Sequence, residues 1–489
     1  MENKCKMNGR LKDSLPCIPS ELLLNPFVHH LELTSTLDKI KTAFLTVTFL
    51  PLRVVCIALL LALAWVLACV GLVGLDENDV RCKPLTGWRR SLRAVISKLV
   101  RLLMVFGSFN RVQVKGRQAT QREAPMLVLA PHSSFFDALP VVVLGSPSVV
   151  AKAETADIPF FGKLINYTQP VYVWRDDPKS RQKTIKEIVS RATSKLEWPQ
   201  ILIFPEGTCT NRKALITFKL GAFYPGVPVQ PVCIRYPNEL DTVTWTWEGP
   251  GALKLLWLTL TRFNSTCEIE FLPVYNPSEA EKQNPKLYAN NVRNVMAKAL
   301  GIPVSDYNYS DTLLIKKAVE LNLPSASDLV KVQKLRSKIG LDTVDIEVQK
   351  ASQLLKKDLC SVVEFAKILG VGVNDVSMQE LFQLYIKNGE KIIDIREYLL
   401  DIIVIHMKSK TVNMARLAFE AASCDQSNMS RSEAVHALKI AFNMSEERTE
   451  RIFSKFESTS SKFNYESFRE YALGKEDLAW IFAGPKKDC

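Results

Sequence analysis

The chain has 489 residues, 47% of them hydrophobic and 23% charged, enough for two or three domains around sizeable cores. Its formal net charge of +12 suits an anionic membrane surface or a phosphorylated ligand, and without a zinc finger, an RNA-recognition signature or a long basic tail nucleic acid is set aside as a partner. The eleven cysteines run from Cys5 to Cys489 without a C-x-x-C pair, which argues against a disulfide framework or a zinc cluster and for a reduced, cytosolic setting.

An N-terminal arm, residues 1–41, precedes a membrane segment at 42–75. From Val54 to Leu75 the chain carries no charge, and that length crosses a hydrocarbon core of about 30 Å at about 1.5 Å per residue. Before it, Thr42 to Leu52 is too short to span alone and is set off by Arg53. The segment is therefore read as a membrane span or as a re-entrant hairpin kinked near Pro51.

Residues 76–123 follow as a basic amphipathic membrane-surface segment. In "GWRRSLRAVISKLVRLLMVFGSF", Arg89, Arg90, Arg93, Lys98 and Arg101 mix with Val95, Ile96, Leu99, Leu102 and Leu103 at helical spacing. This fits a helix on anionic headgroups, or equally a core helix with a solvated face.

From Ala124 to Tyr307 short apolar runs alternate with helical stretches. "MLVLA" (126–130), "SVVAK" (148–152), "PVYVW" (170–174), "QILIF" (200–204), "PVQPVCI" (228–234) and "CEIEFLPV" (267–274) read as strands. "DDPKSRQKTIKEIVSRATSKL" reads as a helix with Pro178 in its first turn. The alternation predicts an α/β domain, a mostly parallel sheet flanked by helices, with chemistry beyond the carboxyl ends of the strands.

Two of these strands run into polar motifs: "MLVLA" into "PHSSFFD" and "QILIF" into "PEGTCTNR". If they lie parallel in one sheet, His132, Asp137, Glu206 and Thr208 share an edge. A neutral imidazole can take a proton near neutral pH, and a carboxylate on its other nitrogen fixes the tautomer and stabilises the imidazolium. The bland reading is a hydrogen-bonded structural histidine. A serine-hydrolase reading lacks its G-x-S-x-G elbow, and zinc lacks partner ligands nearby.

In order and spacing, "PHSSFFD", "VYVWR", "FPEGTCTNR" and "VPVQPV" resemble the four blocks of the glycerolipid acyltransferase family. "LITFKLGAFYPGVPVQPVCIRYPNELDTVTWTWEGPGALKLLWLTLTRF" is similar to its lysophosphatidylcholine acyltransferase branch. The resemblance implies that His132 deprotonates the hydroxyl of a lysophospholipid and that Asp137 orients it. The alkoxide then attacks acyl-CoA directly, with no cofactor, no metal and no covalent acyl-enzyme. It gives Arg175 to the acceptor phosphate, and Glu206, Gly207 and Thr208 to acceptor binding and site geometry. Arg212 and Lys219 are expected to contact phosphate or CoA. Pro231 is expected to shape the site, and Phe135 and Phe136 to pack or to line an acyl path. The family's second block carries a glycine before its apolar run; here the nearest is Gly162, well upstream. The acceptor is expected to be lysophosphatidylcholine, with lysophosphatidic acid, lyso-platelet-activating factor and a non-catalytic scaffold as alternatives.

The remainder reads as a helical linker (308–345), a degenerate EF-hand-like domain (346–480) and a tail (481–489). An EF-hand loop needs oxygen ligands at its first positions, Gly at the sixth and Glu at the twelfth. "IKNGEKIIDIRE" (386–397) starts with Ile386 and has Lys391 sixth; "ASCDQSNMSRSE" (422–433) starts with Ala422 and has Ser427 sixth. Calcium binding is not expected, and the helices are read as a structural or protein-partner module. Lys486 and Lys487 match a dilysine signal, which places the protein at the endoplasmic reticulum membrane with its catalytic domain and C-terminus cytosolic; Golgi and lipid droplet are the other candidate sites. On that side the five N-x-[ST] sequons are coincidental.

Overall fold

The computed structural model describes residues 25–137, 143–173, 178–320, 328–341, 359–386, 391–405 and parts of 430–474. They form two compact units, residues 1–309 and 310–489.

Helix α1 runs unbroken over Thr36–Leu72, 37 residues. Of the two readings, span or re-entrant hairpin, the hairpin's reversal near Pro51 is absent from this helix. Proline removes only one backbone donor, and in the preceding turn the Thr46 and Thr48 hydroxyls donate to the carbonyls of Thr42 and Phe44. Arg53, the charge that divides the apolar runs, donates to Ser108 Oγ and to the carbonyls of Leu260 and Arg262. The arginine thus ties the helix to the domain where a hairpin would have turned.

α1 packs through one face. Thr42, Leu45, Ala64, Ala68 and Gly71 are buried, whereas Leu37, Ile40, Phe44, Val55, Leu59 and Val66 are exposed in a row at helical spacing. A Cβ on Gly71 would overlap the Tyr167 ring, so only glycine allows this approach. Short helix α2 (Glu77–Cys82) leads to α3 (Gly87–Phe106), whose Ile96 joins Ala64, Ala68 and Tyr167 in one cluster.

Strands β1 (Arg111–Lys115), β2 (Met126–Ala130) and β3 (Ser148–Lys152) follow, then α4 (Phe161–Tyr167), β4 (Val171–Val173), α5 (Pro178–Ala192) and β5 (Ile201–Ile203). Next come β6 (Val229–Arg235), α6 (Ala252–Leu260), β7 (Thr266–Phe271), α7 (Glu279–Gln283) and α8 (Pro285–Leu300). The sheet order is β1-β7-β6-β2-β5-β3-β4. β2 through β6 run parallel; β7 is antiparallel to β6, and edge strand β1 is parallel to β7. β1 escapes the sequence reading because Arg111, Gln113 and Lys115 make it polar and it lies mostly exposed.

Successive residues of a strand face opposite ways, so β2 feeds two cores. Met126 and Val128 pack with Ile188 of α5 and with Tyr288 and Val292 of α8. Leu127 and Leu129 pack with Met104, Phe109 and Phe136.

The second unit contains α9 (Tyr309–Glu320, straddling the boundary), α10 (Leu329–Ile339), β8 (Leu359–Ser361), α11 (Val362–Leu369), α12 (Val376–Gln383) and β9 (Ile392–Asp394). α13 (Ile395–Ile405), α14 (Glu446–Glu457) and α15 (Tyr465–Leu473) complete it. β8 and β9 are antiparallel, with Cys360 opposite Ile393. The segment read as a linker is not one: Leu329, Val332 and Leu335 of α10 share a core with Phe365, Phe382 and Tyr398. Their apolar spacing is diluted by lysines, which hid it. Loop 422–433 and the tail with Lys486 and Lys487 lie mostly or wholly outside the described residues.

Candidate active site

β2 and β5 are neighbours in parallel register, Met126 opposite Ile201. Their carboxyl ends therefore release the two polar motifs side by side. The His132 N–H donates to Glu206 Oε2 (2.5 Å), and its carbonyl accepts from Thr210 N (2.8 Å). The histidine backbone is thus clamped between two parts of the second motif. Its ring lies 4.3 Å from that of Phe204, and its side chain is 22% exposed, enough for a substrate atom to reach it.

The chain turns after His132 and returns Asp137, wholly buried, to the ring. Asp137 Oδ2 lies 2.8 Å from His132 Nδ1 and accepts from the N–H of Ser133 (2.7 Å) and Ser134 (3.0 Å). Oδ1 accepts from Tyr236 Oη at 2.5 Å. A carboxylate can only accept, so Nδ1 carries the proton and donates it; Nε2 is left as the basic atom.

Cys209 Sγ lies 3.6 Å from Nε2. Burial acts to lower the His132 pKa, but the neighbouring Cys209 and the hydrogen bond and charge of Asp137 outweigh it, pushing it up to about 10. The substrate-free site therefore favours the imidazolium. Burial likewise pushes Glu206 up to about 8 and raises Tyr236 well above the ordinary phenol range, so Tyr236 stays a donor.

An acyltransferase family model matches residues 111–235, the span from β1 through β6 that carries this site. The lysophosphatidylcholine acyltransferase of Drosophila melanogaster is 44% identical over 91% of this chain and 85% of its own. Lysophosphatidylcholine acyltransferase 1 of Homo sapiens is 43% identical over 92% and 84%. The chain belongs to the lysophosphatidylcholine acyltransferase family. A solved 1-acyl-sn-glycerophosphate acyltransferase from Thermotoga maritima aligns with 54% of this chain and 96% of its own, at 19% identity and TM-score 0.37.

The other residues singled out in this acyltransferase take several places. Glu206 is fully buried behind the histidine; its Oε1 accepts from Ile216 N (3.4 Å) and its Oε2 from the His132 N–H. Gly207 has φ +68°, and a side chain there would meet Lys219. Thr208 is half-buried in the same turn. Lys219 Nζ lies 4.0 Å from the centre of the Tyr309 ring.

Arg212 is held inside the site wall. It donates to Ser133 Oγ (3.2 Å), pairs with Asp241 (2.7 Å) and lies 5.3 Å over the Tyr236 ring. Phe135 and Phe136 pack, 4.4 Å apart, with Phe135 also against Trp245. Pro231 sits inside β6 opposite Val128. Arg175 lies outside the described residues.

Sequence reasoning missed Tyr236 and Cys209. Cys209 stands inside the second motif, one residue past Thr208, and its place there was the available signal. For Tyr236 none existed, since it comes from another strand end, 99 residues from Asp137.

Proposed function

We propose that the protein transfers an acyl group from acyl-CoA to the free hydroxyl of a lysophospholipid, with lysophosphatidylcholine as acceptor and phosphatidylcholine as product. The observation that carries this is the 2.8 Å contact of His132 Nδ1 with Asp137, which leaves Nε2 unprotonated for the acceptor once the imidazolium has given up its proton. Nε2 takes the hydroxyl proton as the oxygen attacks the thioester carbonyl. The C–S bond breaks, and the imidazolium proton passes to the departing CoA sulfur. The reaction needs no metal or redox cofactor, and acyl-CoA is a co-substrate.

The Cys209–Nε2 contact supports a second reading, in which Cys209 first accepts the acyl group from CoA and then passes it to the hydroxyl. A burst of CoA release without acceptor would mark that route; parallel-line kinetics would accompany it.

α1 supports membrane attachment. Its length, about 56 Å at about 1.5 Å per residue, exceeds a hydrocarbon core. Both its halves pack on the domain: Thr42 and Thr46 bond to Arg262 and Trp257, and Gly71 meets Tyr167. We read it as lying in the membrane plane, with its exposed apolar row in one leaflet. The residence proposed for it is the endoplasmic reticulum membrane, with α1 as the anchor. The paired helices joined by β8 and β9 fit an EF-hand-like module that does not bind calcium and serves a protein partner.

The test is acyl-CoA-dependent transfer by membranes carrying wild type or His132→Ala, against a panel of lysophospholipids. Wild-type transfer that collapses in the variant supports the reading, and the preferred headgroup names the acceptor. A folded, membrane-bound wild type that transfers to no acceptor overturns it in favour of a scaffold.

A further inference from the structure

The basic residues of α3 gather on one side of the helix. With about 3.6 residues per turn, Arg90, Arg93, Lys98 and Arg101 fall on one arc of the helix, and all four line a cavity of about 500 Å³. A second arc carries Ile96 onto α1, and a third leaves Trp88, Val95 and Leu102 exposed. The far wall of the cavity is mixed, with Gln118, Thr120 and Gln200 beside Leu144, Pro147 and Trp198.

This cavity is not the catalytic site. Gln118 lies on the segment that enters β2, and Gln200 immediately precedes β5. The cavity thus sits at the amino ends of the parallel strands, whereas His132 follows the carboxyl end of β2. Five residues of β2 separate the two, roughly 16 Å of strand.

Three of the four cations lack an ion-pair partner among the described residues. Glu197 is taken by Arg90 at the rim. Among the described residues no carboxylate lies within ion-pair distance of Arg93, Lys98 or Arg101. Arg93 Nε is buried without a hydrogen-bond partner, and its Nη2 reaches only the Tyr167 carbonyl and Gln169 Oε1, at 3.3 and 3.4 Å. Burial, with Arg90 adding to it, lowers Arg93 to about 10. An unpaired buried cation is costly, and arginine's planar fork matches the oxygens of a phosphate.

We infer that this cavity binds the phosphate headgroup of an anionic phospholipid, at a second site apart from the one that performs acyl transfer. The bilayer is the source because the cavity's own helix presents Trp88, Val95 and Leu102 beside the basic arc and packs along α1, whose outer face is apolar. A lipid could then enter with its chains against the apolar arc and its phosphate among the four cations. Such a site couples attachment of the enzyme to the charge of the membrane.

The experiment uses the full-length protein and flotation with vesicles of phosphatidylcholine, with or without one-tenth phosphatidic acid. Arg93→Gln and the double variant Lys98→Gln/Arg101→Gln are compared with Lys286→Gln/Lys298→Gln, which removes two exposed charges from α8. The double variant at exposed positions guards against misfolding of Arg93→Gln. We expect both α3 variants to lose about tenfold or more of the affinity gained from phosphatidic acid, with binding to neutral vesicles and transfer measured there unchanged. An equal loss in the α8 variant would mean general charge attraction and overturn the site. Binding of inorganic pyrophosphate that depends on Arg93, with no gain from phosphatidic acid, would assign the cavity to a soluble phosphate and overturn the lipid.

Discussion

Replacing Tyr236 by phenylalanine removes one oxygen and tests whether the acid behind the base has to be held. Asp137 is wholly buried, and its Oδ1 accepts from Tyr236 Oη at 2.5 Å, with no water-exposed face to turn to. A hydrogen bond to a charged group contributes about 1.5–3 kcal/mol, and about 1.4 kcal/mol is a factor of ten in rate. The variant should therefore lose about 10- to 100-fold in kcat, with little change in KM for acyl-CoA. A carboxylate relieved of one donor keeps more of its negative charge to stabilise the imidazolium, so the alkaline rise of the pH–rate profile should also move to higher pH. The assay is release of CoA thiol at saturating lysophosphatidylcholine, with thermal unfolding as the check on folding. A folded variant with kcat within threefold of wild type, and an unmoved profile, would refute the positioning role and leave Tyr236 as packing.

Cys209→Ala should lower the pKa of His132 from about 10, because one of the two neighbours that raise it is gone while Asp137 stays; whatever turnover remains should reach its plateau at lower pH. Glu206 has a folded pKa of about 8, above its ordinary 4.5. The stability this gives is fully present below about 4.5 and lost as pH rises through about 8. Unfolding temperatures should accordingly fall across that window in wild type and fall less in Glu206→Gln, which keeps an acceptor for His132 N–H; equal slopes would count against a buried neutral Glu206. Gly71→Leu forces a side chain into the Tyr167 ring, which should destabilise the α1 packing by about 1–3 kcal/mol, seen as a lower unfolding temperature in detergent. An unchanged value would mean that α1 does not pack there.

Several elements were legible because their signals are local. The apolar run "MLVLA" coincides with β2 and "SVVAK" with β3, since short β-rich runs bounded by polar turns have few other ways to bury themselves. His132 and Asp137 are five residues apart, so one turn joins them, and that pair could be read directly. α10 shows the opposite case. It read as part of a helical linker, and only the partner helices supplied a core for Leu329 and Val332.

The sequence by itself determined the His132–Asp137 pair, the strands that carry it, the apolar run of α1 and the four cations of α3. All of these depend on neighbours within a few residues. The tertiary structure decided what each one faces. It brought Tyr236 to Asp137, set Glu206 against the backbone of His132, and tied Arg212 to Asp241. It laid α1 along the domain and folded the basic arc of α3 over a cavity. Those outcomes rest on contacts between segments tens to hundreds of residues apart, where burial and pairing are settled by packing and no local period records them.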